Sequence, residues 1–579
     1  MKGISIVSGK AIASPLILEE INFQGFKQKK TDNVEFEIDR LHGARKKTKD
    51  FLQGLLCRGK HTFSEEALAI ISIHLDLLDD PELIDETIDI IENSQLCVES
   101  ALLENEERIS RAFSEVEDPY IKERLGDIHD VVKRLLCELA DVEIEDLFLL
   151  EQDVILIAEE LVPSQLVSAN IEHIKGIICE KGGKTSHLAI IARSLSIPTV
   201  FGVDQAVNQL KNATNVYVNG GDGCVEINKS DAEINAIKQD IAETEEIKKS
   251  LSKFALKKGM TRDGYRIPVR ANIGSIDDAK KAKKACAEGI GLFRTEFMFM
   301  ENSTMPSEED QFTVYKEVLQ LFPNDVVTIR TFDAGGDKQI SYLDFSTEMN
   351  PFLGCRAIRY CLRHKNLFKV QLRALLRASC YGHLRILFPM ISGIGELRAV
   401  KELLEESKSE LSEENYPYDA NIECGIMIEV PSAALCADEL AQETDFFSIG
   451  SNDLTQYTLA VDRNNEDIHD MFTEFHPAVL KLIKKTILDA HNHGKHVCLC
   501  GEFGGNVLAT RLLLALGIDE LSMNQSAMNK IKKIIAETEK AEVEGYYAQM
   551  LQDNKEAQNI EKQAKNDLVS INLAYMLNL

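Results

Sequence analysis

Eight short apolar runs alternate with helix-patterned segments in the second half of the chain, at 269–273, 291–294, 326–330, 384–390, 425–429, 446–450, 496–500 and 520–523. Eight β-then-α units in about 270 residues have the count and length of a (β/α)8 TIM barrel. Few architectures accept that pattern. Polar residues fall at or just after the C-terminal ends of the runs: Arg294, Arg330, Glu429, Asn452 with Asp453, and Cys500 with Glu502. Barrels of this kind build active sites at that end, and scattered surface charge would not align run after run.

The first half reads differently. Residues 1 to about 20 alternate small, apolar and polar side chains like one or two short strands. From about residue 32 to 139 apolar residues recur at three and four, as in long amphipathic helices, most clearly at 34–38, 67–78, 82–91 and 120–139. Strand-like runs return at 154–158, 176–179, 198–202 and 216–218. The early and late strands fit one α/β domain interrupted by an all-helical block. Residues 229–256 are charged and contain no Pro or Gly, which predicts a helical connector of ~40 Å that joins rather than packs. The fold class is thus multidomain α/β. Its parts are an α/β domain over 1–20 and 144–228, an inserted helical domain over 21–143, a linker helix over 229–260 and the barrel over 261–579.

Within the α/β part, Gly182-Gly183-Lys184-Thr185-Ser186-His187 precedes the apolar stretch 188–192. Two glycines free the backbone to turn, Thr185 or Ser186 can cap a starting helix, and His187 falls in its first turn. Free N–H groups and the positive helix end favour an anion there, so a phosphoryl group on the imidazole would be held without a counter-ion. A neutral imidazole is also a competent nucleophile near neutral pH. A capping loop with a merely satisfied histidine is the competing reading.

Glu429 and Asp453 are hard oxygen donors suited to Mg²⁺ sharing its sphere with substrate oxygens; a metal-free ion-paired set is the plainer alternative. Arg294, Arg330, Arg356 and Arg463 are planar forks for phosphate or carboxylate, and Lys338 adds a point charge. Together they suit a small di- or trianion. Cys500, taken alone, would be a buried small hydrophobe. Acidic residues around 64–82 would ordinarily be a solvated helix face.

The balance of 65 basic and 94 acidic residues, net −29, argues against nucleic acid or an anionic membrane and fits a basic protein partner. Thirteen cysteines without a Cys-x-x-Cys pair predict reduced thiols and a cytoplasmic location. The opening MKGISIVSGKAIASPLIL lacks a continuous apolar core, and no run of about 20 apolar residues occurs, so no export signal or membrane span is expected.

The segments GGKTSH with AIIAR, GLFRTEFMFM, RTFDAGGDK, NPFLGCRAIR, GIMIEVPSAA, FFSIGSNDLTQYTLAVDR and LCGEF, in this order, resemble the Enzyme I family of the bacterial phosphoenolpyruvate:sugar phosphotransferase system from end to end. The resemblance implies a swivelling phosphohistidine domain, phosphorylation of His187 by phosphoenolpyruvate, and Mg²⁺-dependent transfer to the histidine-containing phosphocarrier protein by a homodimer. It gives Arg294, Arg330, Asn452, Asp453 and Arg463 to substrate binding, with Arg356 and Lys338 auxiliary, and Glu429 and Asp453 to the metal. It makes Cys500 the acid that protonates the enolate carbon. It turns the helical insertion into the carrier dock, with Glu65, Glu66, His74, Asp80 and Glu82 at matching places. Leu188, Leu166 and Asn506 depart from the family's pattern, the first two beside the histidine, which implies a reduced rate. A non-catalytic docking or regulatory homologue of the same fold is the alternative. A dikinase or synthase would need an ATP-binding domain and a Gly-rich nucleotide loop, and a nitrogen-type relative would need a sensory domain before the first strands.

Overall fold

The structure is a computed structural model. It describes all residues except 19–28, 60–64, 115–118, 141–146, 148–149, 151, 162–165, 167–168, 184–186, 196, 301–303, 336–339, 341, 344–347, 464, 466, 554–555 and 579, and within helices the side chains of 55, 57–59, 65–70, 112–114, 119–124, 187, 190, 194, 248, 469 and 578 also lie outside the description. The chain forms two compact units, residues 1–245 and 246–579.

In the first unit, strands β1 (Ile4–Val7) and β2 (Lys10–Leu18) precede the helices Val34–Gly59, Glu65–Leu77, Pro81–Ser94, Val98–Ser114 and Pro119–Leu139. Strands β3 (Val154–Ala158), β4 (Ile174–Cys179), β5 (Thr199–Phe201), β6 (Val216–Asn219) and β7 (Cys224–Ile227) follow. All seven make one sheet in the order β1-β5-β4-β3-β2-β6-β7. β2 is long because it serves two partners: Ser14 to Leu18 run parallel to β3, while Lys10 to Ala13 run antiparallel to β6. The helical block is therefore an insertion between two neighbouring strands. β3 is central, buried at all five positions, and its Val-Ile-Leu-Ile-Ala sequence is the near-continuous apolar run a strand covered on both faces needs. One face of the sheet shares its core with the helices, through Leu156, Ile177, Leu135 and Leu102.

Charge orders the helical block. Arg40 donates to Glu37 at 2.8 Å, also binds Glu99, and reaches the Leu139 carbonyl at 3.2 Å. Glu37 accepts from the Val98 N–H at 3.1 Å and so closes the start of helix Val98–Ser114.

The helix Asp231–Ser252 covers less of the chain than its composition implies, ~33 Å at 1.5 Å per residue. It also packs: Leu251 is buried in the core of the second unit and Ile247 lies against it. The expectation of a connector that only joins is corrected for its last turns, whose Ile and Leu find an apolar surface.

The second unit is a closed eight-stranded parallel barrel of β8 (Val269–Ile273), β9 (Ile290–Arg294), β10 (Val326–Arg330), β11 (His383–Phe388), β12 (Glu423–Ile428), β13 (Phe446–Ile449), β14 (His496–Leu499) and β15 (Glu520–Met523). Two strand glycines are required by packing. A Cβ on Gly425 would lie 2.5 Å from the Phe446 ring, and one on Gly291 would lie 2.4 Å from Ser522. Leu292, Leu387, Met427, Phe446 and Cys498 fill the interior, so the barrel is solid and its chemistry must be at an end. Among the described residues no helix is long and apolar enough to cross a membrane.

Candidate active site

Strand order brings the rim residues together. Arg294 and Arg330 end adjacent parallel strands and are register partners. From Arg330 a chain of alternating charge runs around the rim. Its Nη2 donates to Glu296 Oε1 at 2.7 Å, and Nη1 lies 2.8 Å from Asp333 Oδ2. Arg356 Nη2 donates to the other oxygen of Asp333 at 3.0 Å and lies 3.8 Å from Asp453 Oδ2. Asp453 Oδ1 faces Arg463 Nη1 at 3.3 Å. Arg330 is 5% and Arg356 1% exposed. Burial works against their charge, but Asp333 outweighs it, helped at Arg330 by Glu296 and at Arg356 by Asp453, so both are held above the ordinary arginine value.

Glu429 follows β12 and accepts from the Met390 N–H at 2.6 Å. Burial, with Asp453 and Asp333 nearby, pushes its carboxyl up to about 8 against the pull of Arg330 and Arg356. The backbone after β13 comes close to it, since a Cβ on Gly450 would lie 3.0 Å from Oε2. Among the described residues no group of three or more His, Cys, Asp or Glu is arranged to hold a metal. What the rim offers is a pair, Glu429 and Asp453, that repel one another, with Asp453 Oδ1 buried and making no hydrogen bond. Two buried hard donors fit a divalent cation that takes its remaining oxygens from substrate and water.

Cys500 follows β14 and is 1% exposed. Its N–H donates to the Ile449 carbonyl at 3.0 Å, and its own carbonyl accepts from Asn272 Nδ2 at 2.8 Å. Burial pushes its thiol up, so it stays protonated. Asn452 Oδ1 accepts from the Glu502 N–H at 3.0 Å, tying the loop after β13 to the turn after β14.

In the first unit, His187 opens helix His187–Leu195. Gly182 has φ of +119°, and a Cβ there would lie 2.9 Å from the Phe201 ring, so the turn before the histidine needs glycine twice over. Leu166 and Leu188 are buried in one core with Phe201 and Ile191. The His187 imidazole and Lys338 lie outside the described residues, as do the side chains of Glu65 and Glu66.

The remaining carrier-docking positions divide. His74 is 2% exposed, with Nε2 3.3 Å from Asp127 Oδ1. Its expected place on a docking face is corrected: the helix turns it into the block, where a buried carboxylate satisfies it. Asp80 caps helix Pro81–Ser94 through a 2.9 Å bond from the Glu82 N–H, and Asp79 grips Arg45 and Lys49. Only the Glu82 side chain is exposed and has no internal task among these bonds.

Sequence reasoning passed over Asp333, Glu296 and Tyr457, whose hydroxyl is 3.4 Å from Arg356 Nη1. Each lies inside a quoted segment, within three residues of a named arginine or, for Tyr457, four after Asp453.

Family models described as PEP-utilising enzyme, N-terminal, mobile domain and PEP-binding domain match residues 2–124, 150–223 and 248–540. Curated proteins called phosphoenolpyruvate-protein phosphotransferase are similar over nearly the whole chain. That of Priestia megaterium is 41% identical over 94% of this chain and 95% of its own. That of Geobacillus stearothermophilus is 43% identical over 92% and 93%, and that of Haemophilus influenzae 41% over 92% and 93%.

Proposed function

The chain belongs to the phosphoenolpyruvate-protein phosphotransferase family, and from that membership we propose that it moves the phosphoryl group of phosphoenolpyruvate to His187 and on to a histidine-containing phosphocarrier protein, releasing pyruvate. The alternating-charge rim is the observation that carries this reading. Two buried arginines, Arg330 and Arg356, held by acids of the same rim are preorganised for an anion whose charge shifts during reaction.

Arg294 and Arg330 grip the phosphate from adjacent strands. Asn452, Asp453 and Arg463 complete the cradle, with Arg356 and Lys338 in support. Glu429 and Asp453 hold the cation, read as Mg²⁺, which when bound offsets the charge on the phosphate and enol oxygens. An imidazole nitrogen of His187 forms a bond to phosphorus as the bond to the enol oxygen breaks. Charge then lies on the enolate. The Cys500 thiol gives its proton to the methylene carbon, which fixes the product as pyruvate, and water restores the thiol proton. A thiol raised by burial keeps its proton until a basic carbon is present.

The sheet of 1–20 and 144–228 carries His187, the block of 21–143 docks the carrier through its acidic residues, 229–260 links, and 261–579 binds phosphoenolpyruvate. One imidazole must serve two sites, so the α/β part swings; the hinge candidates near 20 and 145 lie outside the described residues. The family resemblance, rather than any feature of the surface, is what suggests a homodimer. Free thiols among the described cysteines support a reducing, cytoplasmic setting.

Labelled phosphoenolpyruvate with Mg²⁺ tests the reading. The wild-type protein should yield an acid-labile phosphoprotein that His187→Ala does not; an unlabelled wild type would favour a non-catalytic docking homologue.

A further inference from the structure

Glu474 lies between helices Ser451–Leu459 and Pro477–Asn492, outside every segment that the resemblance rests on. Its Oε1 accepts from Ser451 Oγ at 2.7 Å. Ser451 is fully buried and opens the helix that carries Asn452 and Asp453. The residue after Glu474, Phe475, sets its ring edge-on against Phe503, with centroids 5.0 Å apart. Phe503 belongs to the turn that leaves Cys500. That turn touches Ser451 directly: a Cβ on Gly501 would lie 2.0 Å from Ser451 Oγ, and the Glu502 N–H donates to Asn452. Glu474 through Ser451, and its neighbour Phe475 through Phe503, thus join the helix start of Asn452 and Asp453 to the turn that leaves Cys500.

We propose that Glu474 is a positioning residue which locks the turn of Cys500 to the helix start of Asn452 and Asp453, so that proton delivery stays aligned with phosphoryl departure. The inference rests on the roles given above to those three residues. An acid is a costly choice for a mere filler at this place. Burial, with Glu502 nearby, pushes the Glu474 carboxyl up to about 7, against the Ser451 bond that favours its charge. An apolar side chain would pack at less cost but would offer the buried Ser451 hydroxyl no acceptor.

Full-length Glu474→Ala, Glu474→Gln, Ser451→Ala and the Ser451→Ala/Glu474→Ala double variant test this. Two rates are read with Mg²⁺ present: labelling by phosphoenolpyruvate, and deuterium uptake into the methyl group of pyruvate in D₂O by NMR, with thermal unfolding alongside. Glu474→Ala should lower both rates about 10–100-fold, the usual cost of losing a partner behind a metal or substrate ligand. Glu474→Gln keeps an oxygen for Ser451 and should recover most of both, and the double variant should be no worse than either single one. Labelling of wild type and Glu474→Ala at equal rates overturns the role alone, and so does a loss of thermal stability with methyl exchange unchanged. Should Glu474→Ala not fold, Ser451→Ala at wild-type rates overturns it equally. An unlabelled wild type overturns the proposed function and this role together.

Discussion

Asp333 gives one oxygen to each of two buried guanidiniums, so it sets the angle of both forks. Asp333→Asn removes that charge and leaves Arg330 and Arg356 less compensated out of water. Breaking a buried ion pair from one side costs about 3–5 kcal/mol, and a displacement of ~1 Å at a reacting centre costs about 10²-fold in rate. Urea unfolding should report the first and kcat/KM for phosphoenolpyruvate the second, with both falling together. The arginines were legible in the sequence because each follows an apolar run; Asp333 was not, because its partner Arg356 is 23 residues further on and no local period links them. Buried acids elsewhere give a cleaner pH test. Burial pushes the Asp130 carboxyl up to about 6, while His74 pulls the other way. A folded value above the unfolded one means that the group favours the fold fully below the ordinary carboxyl value near 3.8 and loses that contribution as pH rises through about 6. Asp130→Asn should therefore unfold at a higher temperature than the parent at pH 8, and the gap should close toward pH 4.

At the scale of elements, the barrel strands were the most readable part. All eight runs correspond to strands, shifted by at most two residues at either end, because a strand covered on both faces must be apolar throughout. Helix Val98–Ser114 and strand β7 were not singled out. The helix is rich in charge, and its start is closed by Glu37 from another helix, a contact with no local trace. β7, Cys-Val-Glu-Ile, is an edge strand with one fully buried residue. Packing gives a direct test of the barrel: Gly425→Ala would press a methyl group onto the Phe446 ring, and overpacking of this kind costs about 1–3 kcal/mol. Denaturant unfolding of the variant should show that loss. At the start of helix Pro81–Ser94, structure separates two roles that sequence merges. Asp80→Ala removes a helix cap worth ~1 kcal/mol along with a charge, whereas Asp80→Asn keeps the cap and loses only the charge. If the charge serves the carrier, Asp80→Asn should slow transfer to it at unchanged thermal stability, and a rate equal to wild type would leave Asp80 as a cap alone.

At the scale of the whole molecule, the net charge of −29 and the charge buried in the rim answer to different conditions. Salt screens exposed charges over a length that falls from about 8 Å at physiological ionic strength to about 3 Å at 1 M. Glu82, exposed on the helical block, feels that screening in full, whereas Arg330, Arg356, Asp333 and Glu429 lie out of water and feel little of it. The two half-reactions should then part company. Phosphorylation of His187 depends on the buried rim and on the added cation, so at saturating Mg²⁺ its rate should change little between 0.05 and 0.5 M salt. If exposed acids steer a basic carrier, the second-order rate of transfer to it should fall by an order of magnitude or more over the same range. Quenched-flow labelling with and without carrier measures both in one preparation. Equal sensitivity of the two steps would remove the acidic helical face from the docking surface and leave the carrier to be held by uncharged contacts.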